Sequence, residues 1–460
     1  MKVVIAGGGQ VAMLIARRLA REGNEVVVVE ENKNRSEQLQ DLLDAKIVQG
    51  NASRVSTLRR AGLGEADMFI AATNSDESNL LACMIAQAEA GHLVKIARIR
   101  THEAEHWRRV SEQVGLKIDL IIHPESSIAE RIMRVVGVPG VSDIYDFAGG
   151  AVKLFGMNVD ADSGFNGKTL EQLDQAGPPK DSLIALIFRG QQVIIPHGEE
   201  RLRTGDHIYI MATQENLTDV LRFMGLEHRE SISRVFVVGG KQLGIGVAEV
   251  LEKKGVNVKL FEQDAARCEK ISTILKKTVV IHGDGTDQTT LEEENIEGVD
   301  AFLALSNHDE DNIIASLLAR RLGAKKVVPL INRLNYLPMV QRLGINTSVS
   351  PRLEAVDRAL QFVRKGRVLS VTTFREEEAE AIELIAAPRS KYVGKQLRHI
   401  RFPRGAIVGA IASPTGQVIV PRGEATIQAG DRVIFFTLES VVPELESAFL
   451  AEPKRHRKVG

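Results

Sequence analysis

Gly7-Gly8-Gly9-Gln10-Val11 follows directly on an apolar run, Val3-Val4-Ile5-Ala6, and a carboxylate, Glu30, closes the next apolar run, Val26-Val27-Val28-Val29, 23 residues beyond Gly7. Glycines at the mouth of a helix leave backbone N–H groups open to a phosphate, and an acid at the end of the neighbouring strand can accept hydrogen bonds from ribose hydroxyls. Gly7 permits the sharp turn out of the strand, and Gly9, lacking a Cβ, lets a pyrophosphate approach the backbone. The third position of the pattern is Ala12, still small enough for a helix to pack closely on the strand. Glu30 would repel a 2′-phosphate, so the chemistry points to NAD rather than NADP.

These residues work only if a strand, a turn, a helix and a second strand hold them. Leu14, Ile15, Leu19 and Ala20 recur at helical spacing after the turn. Further apolar runs, Ile47-Val48, Met68-Phe69-Ile70-Ala71, Val94-Lys95-Ile96-Ala97 and Leu120-Ile121-Ile122, alternate with amphipathic stretches. Such alternation predicts a parallel sheet covered by helices on both faces. Pro124 opens a last helix through Ile128, Ile132 and Val136, and the domain is expected to end near Val138. From Val141 to about Leu226 the texture changes to short β-rich runs separated by Gly and Pro turns, the pattern of a smaller α+β domain.

The arrangement then repeats. Gly239-Gly240-Lys241-Gln242-Leu243 restarts the turn and Glu262 lies 23 residues beyond Gly239. Gly50-Asn51 answers Gly283-Asp284, Thr73-Asn74 answers Ser306-Asn307, and Asp76 with Asn79 answers Asp309 with Asn312, each 233 apart. In the small domains Pro196, Gly198, Leu202, Gly205 and Asp206 answer Pro421, Gly423, Ile427, Gly430 and Asp431, 225 apart. The fold class is therefore α/β, a tandem duplication of a Rossmann-like doubly wound parallel-sheet domain followed by a small α+β domain. The expected boundaries are 1–138, 139–230, 231–365 and 366–450, with a basic tail at 451–460. Thr73, Asn74 and Asp76 follow the fourth strand near the topological switch point, where they line the cleft, or else the segment serves as a helix cap, Ser75 or Asn74 with later acids. Lys241 stands where the first half has Gly9. Its side chain obstructs a pyrophosphate while its ammonium attracts phosphate, so the halves are expected to bind unequally, the first preferring NAD or NADH.

Composition narrows the classes. With 59 basic and 60 acidic residues there is no global pull toward nucleic acid. No apolar stretch approaches the roughly 20 residues of a membrane span, and the first strand begins too early for a signal peptide. Cys83 and Cys268 fall in helices of different halves and read as reduced thiols, neither a disulfide nor a metal site. His102-Glu103-Ala104-Glu105-His106 satisfies the H-E-x-x-H pattern of a zinc hydrolase, but no third ligand follows, and a solvated helix face is the plainer reading. A dehydrogenase uses the same glycine fingerprint; it would add a substrate domain, whereas this chain adds a second nucleotide-binding unit.

The glycine turn, the Gly-Asn and Gly-Asp turns after the third strands, the segment Ala72-Thr73-Asn74-Ser75-Asp76-Glu77-Ser78-Asn79, and Ala97-Arg98 together resemble the RCK (KTN) domains that regulate potassium transport. Two such units in tandem are similar to the peripheral nucleotide-binding subunits of bacterial Trk potassium uptake systems. The resemblance implies NAD or NADH contacts at Gly7, Gly8, Gly9, Gln10, Val11, Glu30, Thr73, Asn74 and Arg98, with Gly239, Gly240, Lys241, Gln242, Leu243 and Glu262 matching them in the second half. ATP and ADP are implied as further ligands. It also implies a non-enzymatic, cytoplasmic, homotetrameric regulator, without catalytic residues or metal, bound peripherally to a potassium-translocating integral membrane protein (TrkH/TrkG-like).

Overall fold

The computed structural model describes residues 1–100, 104–136, 140–161, 163–190, 192–225, 232–345, 347–363, 368–374 and 379–449. His102 and Glu103 of the H-E-x-x-H pattern, the domain junctions expected near residues 138, 230 and 365, and the basic tail lie outside them.

The first thirty residues form strand Lys2–Ala6, helix Gln10–Arg21 and strand Glu25–Glu30. The strands are continuous apolar runs because both faces are covered: Val3 to Ala6 and Val26 to Val29 are all buried. Six parallel strands make the first sheet, with sequential strands in the spatial order 3-2-1-4-5-6. The chain reverses its direction of travel between the first strand and Met68–Ala71, which places the mouth of a cleft at their carboxyl ends. The second sheet repeats this with five parallel strands, Arg234–Val238 at the centre flanked by Asn257–Glu262 and Ala301–Ala304. The tandem Rossmann-like architecture is as expected.

The two Rossmann-like domains belong to one compact unit, residues 1–136 with 232–362. They interlock. The helix Pro124–Val136 ends the first domain in sequence, yet Ile128, Ile132 and Val136 pack into the core of the second, among Val247, Leu251 and Leu303. Lys326 Nζ of the second half donates to the carbonyl of Val135 at 2.6 Å. The corresponding helix of the second repeat, Pro351–Val363, returns to the first: Arg352 donates to the side-chain oxygen of Gln10, and Glu354 lies 3.9 Å from Arg131.

At the other end of each Rossmann sheet an aspartate locks the strand entries. Asp300 accepts from Ser233 N at 2.8 Å, Arg234 N at 3.0 Å and Lys325 Nζ at 2.8 Å, as Asp67 accepts from Lys2 N at 2.7 Å. Burial alone would raise the Asp300 carboxyl; Lys325 and the Ser233 and Arg234 donors outweigh it and hold it at about 2. An acid depressed below its unfolded value of about 3.9 stabilises the fold above that pH and loses the contribution as pH falls toward 2. Asp300→Asn is therefore expected to cost about 2 kcal/mol at pH 7. In urea titrations the gap between variant and wild type should narrow from pH 5 to pH 3; a gap indifferent to pH would show that the charge of Asp300 is not what stabilises.

The described residues of 140–225 and 363–449 form a second unit. Each small domain is a five-stranded antiparallel sheet, with His207–Thr213 and Arg432–Leu438 as the central strands. The repeat shows in detail: Asp206 Oδ2 accepts from Arg203 N at 2.9 Å and Asp431 Oδ2 from Gln428 N at 2.7 Å, closing the same turn. Strand Asp143–Phe147 was not evident in the sequence, where its apolar residues are interrupted by acids and by Tyr145. Both small domains share one core, in which Leu186, Phe188, Tyr209 and Met211 meet Phe374, Ala381, Ile434 and Phe436. Their central strands are consequently buried on both faces.

Candidate nucleotide-binding cleft

Gly7 adopts φ +100°, a conformation only glycine takes without strain, and a Cβ there would lie 3.0 Å from the Thr73 Cα. Gly8 is constrained differently. Its N–H donates to Glu30 Oε2 at 2.6 Å, and a Cβ on it would sit 2.6 Å from that oxygen and 2.5 Å from Leu39 Cδ1. Gly9, at φ −69° and ψ 173°, has a backbone that any residue adopts, and no atom lies within 4 Å of where its Cβ would be. The glycine therefore leaves a void in front of a helix that no side chain caps. Uncapped N–H groups and the positive end of the helix dipole face that void, a setting for an anion such as pyrophosphate.

Glu30 is buried and already holds its own loop, accepting from Gly8 N and, through Oε1, from Asn32 N at 2.7 Å. Each carboxylate oxygen keeps a further lone pair for a ribose hydroxyl. The second half copies this geometry: Gly239 has φ +108°, and Glu262 accepts from Gly240 N at 2.9 Å and Asp264 N at 3.0 Å. Burial raises the Glu262 carboxyl, but those two N–H groups and Arg267 more than compensate and hold it below the ordinary range. Lys241, at φ −85° and ψ −178°, reproduces the backbone of Gly9 and starts a helix likewise without a side-chain cap. Gly244, matching Ala12, is required by packing, since a Cβ on it would fall 2.0 Å from the Gly239 oxygen.

Beyond the fourth strand the polar residues divide. Thr73 N–H and Oγ1 donate to Asn79 Oδ1 at 2.9 and 2.7 Å, while Asn79 Nδ2 reaches the Arg98 carbonyl at 2.8 Å and ties adjacent strand ends together. Asn312 does the same through Ser306 N and the Leu330 carbonyl. Asp76 accepts from Arg100 N and Asp309 from the N–H groups of Asn332 and Arg333, so both acids organise loops. Ser75 is the helix cap, its Oγ accepting from Ser78 N at 3.0 Å.

Both glycine turns open into one cleft of about 870 Å³. Of the residues singled out from the sequence, Gly8, Gly9, Gln10, Val11, Asn74 and Arg98 line it from the first half, and Lys241, Gln242 and Leu243 from the second. Gly7, Glu30, Thr73, Gly239, Gly240 and Glu262 stand behind the lining, shaping the turns. Sequence reasoning treated the turns as separate sites; here they face a shared space. Among the described lining residues are six arginines and lysines against two carboxylates, Asp309 and Glu310, and Glu310 pairs with Arg333 at 2.7 Å. The cleft therefore favours an anion.

The chain matches the TrkA-N domain family at residues 3–124 and 235–351 and the TrkA-C domain family at 154–225 and 381–450. It is 36% identical over 442 residues to the Trk system potassium uptake protein TrkA of Halomonas elongata, covering 95% of this chain and 96% of that one. It is 34% identical over 459 residues to the Trk system potassium uptake protein TrkA of Vibrio alginolyticus, covering 98% and 99%. The chain belongs to the TrkA family. Its fold is also that of the GsuK RCK domain, at 18% identity and TM-score 0.59, covering 98% of this chain and 95% of that one. A structure described as the GsuK channel bound to NAD superposes at TM-score 0.58 and 19% identity, covering 98% of this chain and 79% of that one.

In this TrkA-family chain several cleft residues escaped the sequence reading. Arg100 and Arg333 stand at the same 233-residue offset as the other matched pairs, so the repeat itself contained the signal. Arg98 has no such partner: the residue 233 positions on is Ile331, fully buried. Arg352 gave no local signal, because what brings it to the first glycine turn is the interlocking of the two halves. No group of three potential metal ligands occurs among the described residues. Both cysteines are free and buried, and burial pushes the Cys83 thiol up to about 12.

Proposed function

We propose that this chain is a nucleotide-sensing regulatory subunit of a potassium uptake system, binding NAD or NADH, and ATP or ADP, in the cleft between its Rossmann-like halves. The observation that carries the reading is the pair of uncapped helix N-termini opening into one cation-rich cleft, in a chain that spans nearly the whole length of its TrkA-named relatives. The proposed nucleotide contacts are those expected above from Gly7 to Val11, Glu30, Asn74 and Arg98, with Gly239 to Leu243 and Glu262 in the second half and with Thr73 acting through Asn79. Within this reading the four domains are residues 1–138, 139–230, 231–365 and 366–450, and the chain performs no catalysis. It works on the cytoplasmic face of the membrane, bound to a potassium-translocating integral membrane protein (TrkH/TrkG-like). No helix among the described residues is long and apolar enough to cross a membrane; in this reading the translocating path belongs to that partner.

A ligand shifts such a partner only by binding one conformation of the regulator more tightly than another. Potassium flux through the reconstituted complex should therefore respond differently to NADH, NAD, ATP and ADP. Indifference to all four, with each shown to be bound, would remove the sensing role. The subunit is proposed to act as a homotetramer, giving eight Rossmann-like domains. Leu81 and Met84 on helix Asp76–Glu89 are exposed, and so is Ile314, 233 residues after Leu81 on helix Asp309–Arg321; matching apolar faces on both repeats suit a repeating contact. Light scattering is expected to give four chains per particle, and a monomer at micromolar concentration with the partner present would refute the assembly.

A further inference from the structure

We infer that Arg352 is a phosphate-binding residue of the first glycine turn, supplied by the second repeat, so that a single bound nucleotide is held by both halves at once. The inference rests on the cleft being a nucleotide site. Arg352 is the second residue of helix Pro351–Val363 and stands 342 positions from Gln10, yet its guanidinium donates to the Gln10 side-chain oxygen beside the void in front of Gly9. Among the described residues this neutral amide is its hydrogen-bond acceptor, and none of their carboxylates forms an ion pair with it.

The guanidinium is thus a partly buried cation without a counter-charge in contact. Burial is the main influence lowering its affinity for its proton; Asp309 acts the other way from a distance and Arg333 adds repulsion. A partly desolvated charge left in this state is unfavourable, and a phosphate in the Gly9 void would neutralise it while also meeting the helix N-terminus. A planar fork of donors suits a pyrophosphate in two-point contact, and the present bond to Gln10 keeps the fork at the turn until the ligand arrives.

The repeat shows that this arrangement is one-sided. The equivalent helix of the first repeat opens with Pro124-Glu125 where the second has Pro351-Arg352, so the matching sequence position holds an acid. Together with Ile331 in place of Arg98 and Lys241 in place of Gly9, this directs the pyrophosphate to the first turn. The second half then contributes a charge to that ligand, and occupancy of the first turn ties the halves together.

The test uses the full-length chain, with NADH binding measured by calorimetry at several salt concentrations. Arg352→Gln is expected to weaken NADH binding roughly 10- to 100-fold and to flatten its salt dependence, and Arg352→Lys to recover part of both. Unchanged affinity in Arg352→Gln overturns the inference and leaves the nucleotide site standing. Weakened affinity with wild-type salt dependence, and no recovery in Arg352→Lys, also overturns it, by marking a purely structural role. A wild-type chain that binds neither NADH nor ADP overturns both the inference and the site. Thermal melting of each variant distinguishes lost contacts from lost fold.

Discussion

Gly9→Lys is expected to abolish most dinucleotide binding, by at least roughly 100-fold or about 2.7 kcal/mol, while leaving the fold intact. Both halves of that expectation come from geometry. Gly9 has extended-region dihedrals that lysine tolerates, as Lys241 demonstrates at the matching position, and a Cβ at residue 9 meets nothing within 4 Å. The melting temperature should therefore barely move. The side chain, however, would project into the void where phosphate must approach the uncapped N–H groups, and its ammonium recovers only part of what is lost. Lys241→Gly should conversely strengthen binding at the second turn, though modestly, because Ile331 still occupies the place of Arg98. Calorimetry with NADH decides it: an affinity for Gly9→Lys within threefold of wild type would show that the pyrophosphate lies elsewhere.

Gly244→Ala is expected to be the most destabilising small change in the second half, by about 3 kcal/mol. Its Cβ would fall 2.0 Å from the Gly239 oxygen and 3.2 Å from the Gly239 carbonyl carbon, and both are backbone atoms of the turn itself. The helix would have to lift from the strand, which outweighs the roughly 1 kcal/mol that alanine gains over glycine in a helix. In the first half the same place is Ala12, fully buried, so there the helix already stands far enough off, and Ala12→Gly should lose only about 1 kcal/mol. Urea midpoints of the two variants make the comparison. Equal small effects would mean that the second helix relaxes as freely as the first.

Much of this was legible in residues alone. Val3 to Ala6 and Val26 to Val29 announced buried parallel strands because short valine-rich runs, alternating with amphipathic helical stretches, suit a sheet covered on both faces. The repeat was readable because the turns reuse the same chemistry: Asp206 and Asp431 each receive a backbone N–H from three residues back, a bond that needs a short side-chain acceptor at that place. The role of Glu30 was only half visible. Its position at the strand end suggested a ribose acceptor, but its hydrogen bond to Gly8 depends on a distance that sequence does not encode. Least legible was the helix Pro124–Val136. Its apolar residues at helical spacing specify that it is buried, and they do not specify in which domain. For the same reason the isolated halves are poor reagents: cutting near residue 230 would separate Ile128, Ile132 and Val136 from the core they complete.

That exchanged helix bears on how such a chain arises. A single repeat on its own would leave its last helix without the apolar partners that Ile128, Ile132 and Val136 find in Val247 and Leu251 of the other repeat, and a second copy offers them. The ancestral unit is then most economically an obligate dimer with its last helices traded between identical partners. Gene duplication and fusion placed both copies on one polypeptide and replaced a concentration-dependent encounter with a tethered one, worth millimolar effective concentration. Fusion also released the copies from identity. In a homodimer any substitution is imposed on both sides of the two-fold axis; in a fused pair Gly9 and Lys241, Arg98 and Ile331, and Glu125 and Arg352 are free to drift apart, and pseudosymmetry becomes division of labour.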